Sequence, residues 1–168
     1  MPGGGDPVLA AHGITVDADR TEGAAPSGAA LLADAAARLG ALVDPGYLAL
    51  AERAIAPSLA PALERPIAYG ATLAVAARLA APLIELVVVT PGTAPADDAL
   101  LAVARAWARP GRTLAIVTEE QAGALAASGF ALFGDRVSRG GRATAYLCEG
   151  FTCRLPTTDA AELGRQLA

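Results

Sequence analysis

The sequence predicts an α/β protein in which an alanine-rich helical segment precedes a small mixed-sheet unit of element order βαβαββα. Three observations carry this prediction. Apolar residues recur at helical spacing in the first half, two β-branched runs flank a helix-length stretch, and two short β-rich runs follow near the C-terminus. We divide the chain into a loop or flexible arm (1–26), a segment of about three helices (27–82) and a small α/β domain with a C-terminal hairpin and helix (83–168).

The helical segment carries a start signal for each helix. Ser27 is a favoured N-cap residue, and Asp44 precedes a proline suited to the first helical position. Pro66 opens the third helix. We expect Pro57 and Pro61 to kink or end the second helix, because proline removes a backbone N–H.

The second half begins with a β-branched run over residues 83–90, which predicts a strand buried on both faces. Residues 113–117 form the next strand. Thr118 with Gln121 forms a capping box for the helix that follows. The strand–helix–strand order predicts a right-handed parallel crossover.

A hairpin closes the sheet. Residues 143–148 lead in, Glu149-Gly150 is the predicted turn, and residues 151–155 lead out. Asp159 with Glu162 predicts the cap of a last helix.

Composition excludes several classes of function. Every basic side chain is arginine, so lysine-dependent Schiff-base and P-loop chemistry are absent. A net charge of −4 argues against nucleic-acid binding. The sequence contains no uncharged apolar run of about 18 residues, the length that a membrane helix needs, and its first residues do not have the pattern of a signal peptide. We therefore expect a cytoplasmic protein that does not contact a membrane. We also expect no cofactor.

Cys148 and Cys153 are the most distinctive residues. With either a two- or a four-residue turn they share one face of the hairpin, about 4.5–8 Å apart between backbones. We interpret them first as small buried hydrophobes, while a reversible disulfide and half of a metal site stay open. Zinc needs four ligands and His12 is the sole histidine, so we expect no metal site.

A weaker signal lies in the loop after the first predicted strand. Thr90, Gly92 and Thr93 sit at the carboxyl end of a parallel strand, where open α/β sheets bind ligands, although Pro91 removes one N–H.

Two other groups of charged residues give weaker indications of function. Arg136, Arg139 and Arg142 could hold an anion, but we interpret them as a solvated loop. The adjacent pairs of aspartates, at 17 and 19 and at 97 and 98, fit helix-dipole or solvation roles, so we predict no catalytic residue.

Two segments resemble a known family. The run ATAYLCEGFTCRLPTTD (143–159) is similar to the end of the YyaL-type thioredoxin-domain-containing proteins, relatives of a spermatogenesis-associated protein, and residues 22–28 resemble a second motif of that family. The motif positions carried by the resemblance are Gly23, Pro26, Ser27, Gly28, Tyr146, Pro156 and Asp159.

The resemblance implies that the chain matches only the last part of such proteins. In that family a thioredoxin-like domain precedes an α/α toroid resembling six-hairpin glycosidases, and a small α/β region closes the chain. Here no Cys-x-x-Cys is present, and Ala29-Ala30 stand where the family usually has Asn-Ser. We therefore expect a truncated or split member that lacks the redox domain and most of the toroid.

These considerations predict a non-catalytic structural or interaction module. Three toroid-like helices cannot close a ring and should leave an apolar face exposed, so we expect self-association or docking to a separately encoded partner. The alternatives are a carbohydrate-active or ligand-binding enzyme domain, which needs converging carboxylates, and a thiol redox switch at Cys148 and Cys153.

Overall fold

The computed structural model describes residues 8, 11–13, 21–92, 98–109, 111–150 and 152–168. Within these residues the chain forms six α-helices and one four-stranded mixed sheet, which confirms the predicted α/β class. Of the predicted N-terminal arm, residues 21–26 contain neither helix nor strand, and most of the remainder lies outside the described residues.

Three helices form the first part: α1 (Gly28–Leu42), α2 (Gly46–Glu64) and α3 (Gly70–Ala80). They pack through small side chains, with Ala36 and Ala51 among the residues that are almost fully buried. Gly40 marks a close approach of α1 to α2, since a Cβ there would lie 2.6 Å from the Leu48 Cδ2 atom. Alanine and glycine therefore allow tight helix packing at the expense of buried area.

The predicted caps of α1 and α2 are present. The Ser27 hydroxyl accepts a hydrogen bond from the Ala30 N–H at 3.2 Å, and the Asp44 carboxylate accepts one from the Gly46 N–H at 2.8 Å. The start of the third helix differs from the prediction. Pro66 opens a 3₁₀ turn, Pro66–Tyr69, and the α-helix begins only at Gly70.

The expected end of the helix at Pro57 or Pro61 is wrong, because α2 continues through both to Glu64, while the expected kink stays a prediction. Proline at 57 leaves the carbonyl of Arg53 without its helical partner. Both of these residues are exposed, so water can satisfy that carbonyl. Packing of the opposite face, where Ile55 and Ala62 are buried, then holds the helix together.

The second part alternates strands and helices before a final hairpin. Its elements are β1 (Ile84–Thr90), α4 (Ala99–Trp107), β2 (Thr113–Thr118), α5 (Glu119–Ala127), β3 (Thr144–Glu149), β4 (Thr152–Cys153) and α6 (Ala160–Leu167). The strand order is β2-β1-β3-β4, with β1 and β2 parallel and the other pairs antiparallel.

The sheet is covered on both faces, as predicted for β1. On one face Leu86 and Val88 pack with Leu101 of α4 and Leu163 of α6. On the other face Val87 packs among residues of α5 and the 3₁₀ turn Ala131–Phe133, and Leu42 at the end of α1 joins this cluster. The helical part therefore rests on the sheet face that also carries Glu85 and Cys148, since alternate residues share a face.

The hairpin is shifted by one residue from the predicted turn. Glu149 pairs with Thr152, so the connecting residues are 150 and 151 rather than 149 and 150, and β4 is only two residues long. Residue 151 lies outside the described part of the chain. The shift places Cys148 directly opposite Cys153, which is the second of the two arrangements that the sequence left open.

Candidate functional site

Cys148 and Cys153 are joined by a disulfide across the β3–β4 hairpin, with their Cα atoms 3.9 Å apart. The two cysteines differ in accessibility. Cys148 is 1% exposed, whereas Cys153, on the edge strand, is exposed to solvent. Of the alternatives left open by the sequence, the structure contains the disulfide.

The Arg136 guanidinium contacts both sulfur atoms. Its NH2 group lies 3.2 Å from the Cys148 Sγ and 3.5 Å from the Cys153 Sγ. Its Nε donates to the Leu132 carbonyl at 2.6 Å, and the guanidinium lies over the Tyr146 ring, 5.1 Å from the centroid. Arg136 is therefore fixed against the sulfurs, and its interpretation as part of a solvated loop is wrong.

Tyr146, a position of the family motif, holds the loop that carries Arg136. Its hydroxyl donates to the Val137 carbonyl at 2.7 Å and accepts from the Val137 N–H at 3.2 Å. Two hydrogen bonds to the residue after Arg136 restrict where the guanidinium can lie.

Glu85 is the second ionisable side chain at this site, apart from the cysteines. It lies opposite Cys148 on β1, is 4% exposed, and its Oε1 atom has no hydrogen-bond partner. Burial raises the pKa of the Glu85 carboxyl, and the attraction of Arg136 offsets part of that rise. Burial likewise lowers the pKa of Arg136, but a guanidinium keeps its charge at neutral pH.

A cavity of about 160 Å³ brings these groups together with the helical part. Glu85, Arg136 and both cysteines line one side, while the end of α1 and the turn before α2 form the other. The cavity-lining residues of that second wall are Gly40, Ala41, Val43 and Pro45, and none of them ionises. The arrangement combines a fixed cation, which stabilises negative charge on a sulfur atom, with a buried carboxyl group whose pKa is raised.

The predicted ligand loop lies elsewhere. Thr90 and Gly92 line a larger cavity, about 500 Å³, with the N-termini of α4 and α6 and with Arg142. The Thr90 hydroxyl is committed to the Gly92 carbonyl at 2.6 Å. Thr93, the third predicted member, lies outside the described residues, so the ligand loop stays a prediction.

The N-terminal motif forms a structural clamp. The Glu22 carboxylate accepts hydrogen bonds from the Ala71 N–H at 2.7 Å, the Thr72 hydroxyl at 2.9 Å and the Ser27 hydroxyl at 3.2 Å. It thereby joins the start of α3 to the start of α1. Motif residues Gly23, Pro26 and Gly28 lie around this clamp, and its only carboxylate is committed to hydrogen bonds.

The remaining motif residues shape the C-terminus. Asp159 caps α6 through the Glu162 N–H at 2.7 Å, as predicted. Beside Pro156, Thr157 bridges to Ala145 through two backbone hydrogen bonds of 2.8 and 3.1 Å. These contacts fasten the last segment to β3.

Comparison with protein-family profiles, with curated proteins and with solved structures finds no match to this chain. Among the described residues, no cluster of three or more metal-ligating side chains occurs. In the same part of the chain, no helix is long and apolar enough to cross a membrane.

Sequence reasoning singled out the cysteines but missed Arg136 and Glu85 as their neighbours. One signal for Glu85 was available, since it is the single charge in a strand predicted to be buried on both faces. The contact of Arg136 with sulfur had no sequence signal, because it depends on how the loop after the 3₁₀ turn folds back over β3.

Proposed function

We propose that this protein is a thiol–disulfide switch centred on Cys148 and Cys153, acting in the cytoplasm, where thiols are held reduced and a disulfide forms transiently. The observation that carries the proposal is the Arg136 guanidinium within 3.5 Å of both sulfurs. A neighbouring guanidinium stabilises the negative charge of a thiolate much more than it stabilises a neutral disulfide. Its position therefore favours a pair that spends time in the reduced state.

The position of the pair supports reversibility. β4 is an edge strand with two residues, so the exposed sulfur can be reached without opening the sheet. A neighbouring cation lowers the pKa of a thiol and so stabilises the reduced state relative to the disulfide. Arg136 should therefore set the redox equilibrium.

The test compares Arg136→Gln with Arg139→Gln, a matched change at an exposed arginine of the same loop. Each protein is equilibrated in glutathione buffers, alkylated and analysed by mass spectrometry. We expect Arg136→Gln to shift the equilibrium about tenfold toward the disulfide, the effect of about one unit of thiol pKa, and Arg139→Gln to leave it unchanged. An identical equilibrium in both variants, or a disulfide that folded protein never loses to excess reductant, would contradict the proposal.

A second candidate is the non-catalytic interaction module expected from the sequence, whose membership of the YyaL-type family stays a prediction. It is favoured by large apolar side chains left in solvent on the helical part. Leu31 is 57% exposed, Leu32 52%, Leu63 76% and Ile67 100%. Burying such groups against a second copy or another protein would stabilise a complex by about 25 cal/mol per Å² of apolar area.

Sedimentation velocity tests this candidate. We expect the wild type to self-associate with rising concentration, and the double variant Leu31→Gln, Leu32→Gln to sediment as a monomer. Leu155→Gln, at an 86% exposed leucine near the C-terminus, is the matched control and should behave as wild type. A wild type that stays monomeric at every concentration would remove self-association.

A further inference from the structure

The two sulfurs of the disulfide lie in different surroundings. Cys153 is exposed on the edge strand, whereas Cys148 is buried beside Glu85 and within 3.2 Å of Arg136. Thiol–disulfide exchange distinguishes an attacked sulfur, which must be accessible, from a leaving sulfur, whose negative charge must be stabilised. The structure provides these two conditions at different atoms.

We infer that external thiols react at Cys153, that Cys148 is the leaving and returning sulfur, and that Glu85 supplies and recovers the Cys148 proton. This inference rests on the proposed switch. The substrate class is a thiol small or exposed enough to reach the β3–β4 edge, either a free monothiol or the dithiol of another protein.

The first step is attack of an external thiolate on the Cys153 Sγ. A sulfur–sulfur bond forms between the external thiol and Cys153 while the Cys148–Cys153 bond breaks, and its electron pair leaves on Cys148. The Arg136 guanidinium stabilises that thiolate until protonated Glu85 transfers its proton to it. Glu85 then regains a proton from solvent.

The second step regenerates free Cys153. Another external thiolate attacks the external sulfur of the mixed disulfide, and Cys153 leaves as a thiolate that takes a proton from water. Two external thiols are thereby oxidised to one disulfide, and the protein disulfide gains two electrons. Oxidation of the protein by an external disulfide is the same sequence reversed, with Glu85 accepting the proton of Cys148.

Glu85 suits this role because its carboxyl is buried and its Oε1 has no partner. Glu85 lies directly opposite Cys148 on the neighbouring antiparallel strand, and both residues line the same cavity. The other ionisable groups near the Glu85 carboxyl are few and can be named.

The charged or titratable groups around Glu85 come from three elements. Arg136 lies in the loop after the 3₁₀ turn, Cys148 and Tyr146 lie on β3, and Cys153 lies on β4. Its partner on β2 is Thr113, and the cavity wall from the helical part is not titratable. Glu85 is therefore the only carboxyl group among the described residues that line this cavity.

The first experiment locates the mixed disulfide in wild-type protein. The oxidised protein is mixed briefly with reduced glutathione, quenched with acid, and digested for peptide mapping by mass spectrometry. We expect glutathione on Cys153, and glutathione predominantly on Cys148 would overturn the inference. A parallel reaction with dithiothreitol separates the sources when only the first step, the opening of the Cys148–Cys153 bond, is compared per thiolate. A site that prefers dithiols opens faster with dithiothreitol in this first step, whereas the later cyclisation of dithiothreitol occurs with any disulfide.

The second experiment tests Glu85 through the pH dependence of reduction. Rates for wild type and Glu85→Gln are measured with one reductant across the acid to mildly alkaline range, so that ionisation of the reductant cancels in their ratio. We expect the wild type to be about tenfold faster at the acid end, with the ratio falling as Glu85 loses its proton. A ratio independent of pH would overturn the role of Glu85.

Glu149→Gln is the matched control, because Glu149 follows Cys148 on β3 but is exposed. It should follow the wild-type pH profile. The outcomes also distinguish failure of the switch from failure of this inference. A wild-type disulfide inert to every thiol rejects the switch itself, whereas reduction through Cys148 or without Glu85 rejects only this inference.

Discussion

At the scale of single residues, Glu22 shows how one carboxylate can organise a helical bundle. Its two oxygens accept hydrogen bonds from the Ala71 and Thr72 N–H groups at the start of α3 and from the Ser27 hydroxyl at the start of α1. Its own N–H donates to the Ala68 carbonyl at 2.8 Å. A residue 49 positions away in sequence from Ala71 thus caps that helix in place of a local side chain.

Glu22→Gln should destabilise the protein by about 1–2 kcal/mol, because an amide replaces a charged acceptor and its N–H₂ faces backbone donors. Urea denaturation at neutral pH measures the loss. Glu64→Gln, at an exposed carboxylate at the end of α2, is the control and should change stability little. Equal stability of the two variants would show that Glu22 is not a clamp.

The same carboxylate predicts an acid-side loss of stability. Burial, the largest single influence, raises the pKa of Glu22, but hydrogen bonds from Thr72, Ala71 and Ser27 together outweigh it, so the pKa is lowered. Its contribution is present above the unfolded-state pKa and lost as the pH falls from about 4.3 through the folded-state pKa. As the pH is lowered across this range, the melting temperature should fall more steeply for the wild type than for Glu22→Gln. Parallel plots of melting temperature against pH would contradict this prediction.

At the scale of elements, α2 contains two prolines and still runs for 19 residues. A proline inside a helix costs a hydrogen bond and usually bends or stops it. Here tertiary packing allows the helix to continue past both prolines, since its apolar face is held between α1 and α3.

Pro57→Ala should therefore stabilise the protein by about 1–3 kcal/mol, because it restores an N–H donor for the Arg53 carbonyl on an exposed face. Pro45→Ala is the matched control. Position 45 lies at the start of α2, where the N–H has no helical partner, so no gain is expected. Guanidinium denaturation compares the variants, and an unchanged or lower midpoint for Pro57→Ala would contradict the prediction.

Local chemistry explains which elements were predictable. Ser27, Thr118 and Asp159 each form their predicted cap, since capping depends on side chains within three residues of the helix start. The continuation through Pro57 and the one-residue shift of the hairpin were not predictable. Both depend on packing and strand register, which single-sequence patterns do not specify.

At the scale of the whole molecule, the proposed switch requires that oxidised and reduced protein both stay folded. The disulfide links residues five positions apart, so it restricts a short loop of the unfolded chain. Such a loop adds about 2 kcal/mol in the chain-entropy estimate. The sheet core around Leu86 and Val88 is independent of it.

We therefore expect reduced protein to keep its circular dichroism spectrum and to unfold cooperatively at a lower midpoint. The double variant Cys148→Ala, Cys153→Ala should resemble the reduced wild type. Loss of folded structure on reduction would show instead that the disulfide is a permanent structural bond.

The two cysteines of the candidate site could be predicted from the sequence, but the residues around them could not. Two cysteines five apart on a hairpin must share a face, so the pair could be proposed from spacing alone. Their neighbours could not, because Arg136 arrives from a loop and the opposite cavity wall arrives from α1, almost a hundred residues earlier.

The part of α1 that lines the cavity makes the cavity sensitive to the packing of the helices. Helix α1 carries the protruding Leu31 and Leu32 in its first turns and lines the sulfur cavity with Gly40 and Ala41 in its last. This 15-residue helix therefore extends from an exposed apolar surface to the cavity beside the disulfide. Gly40 lies against Leu48 of α2 and also lines this cavity, so a residue larger than glycine at position 40 would displace α1 from α2 and change the width of the cavity beside the disulfide.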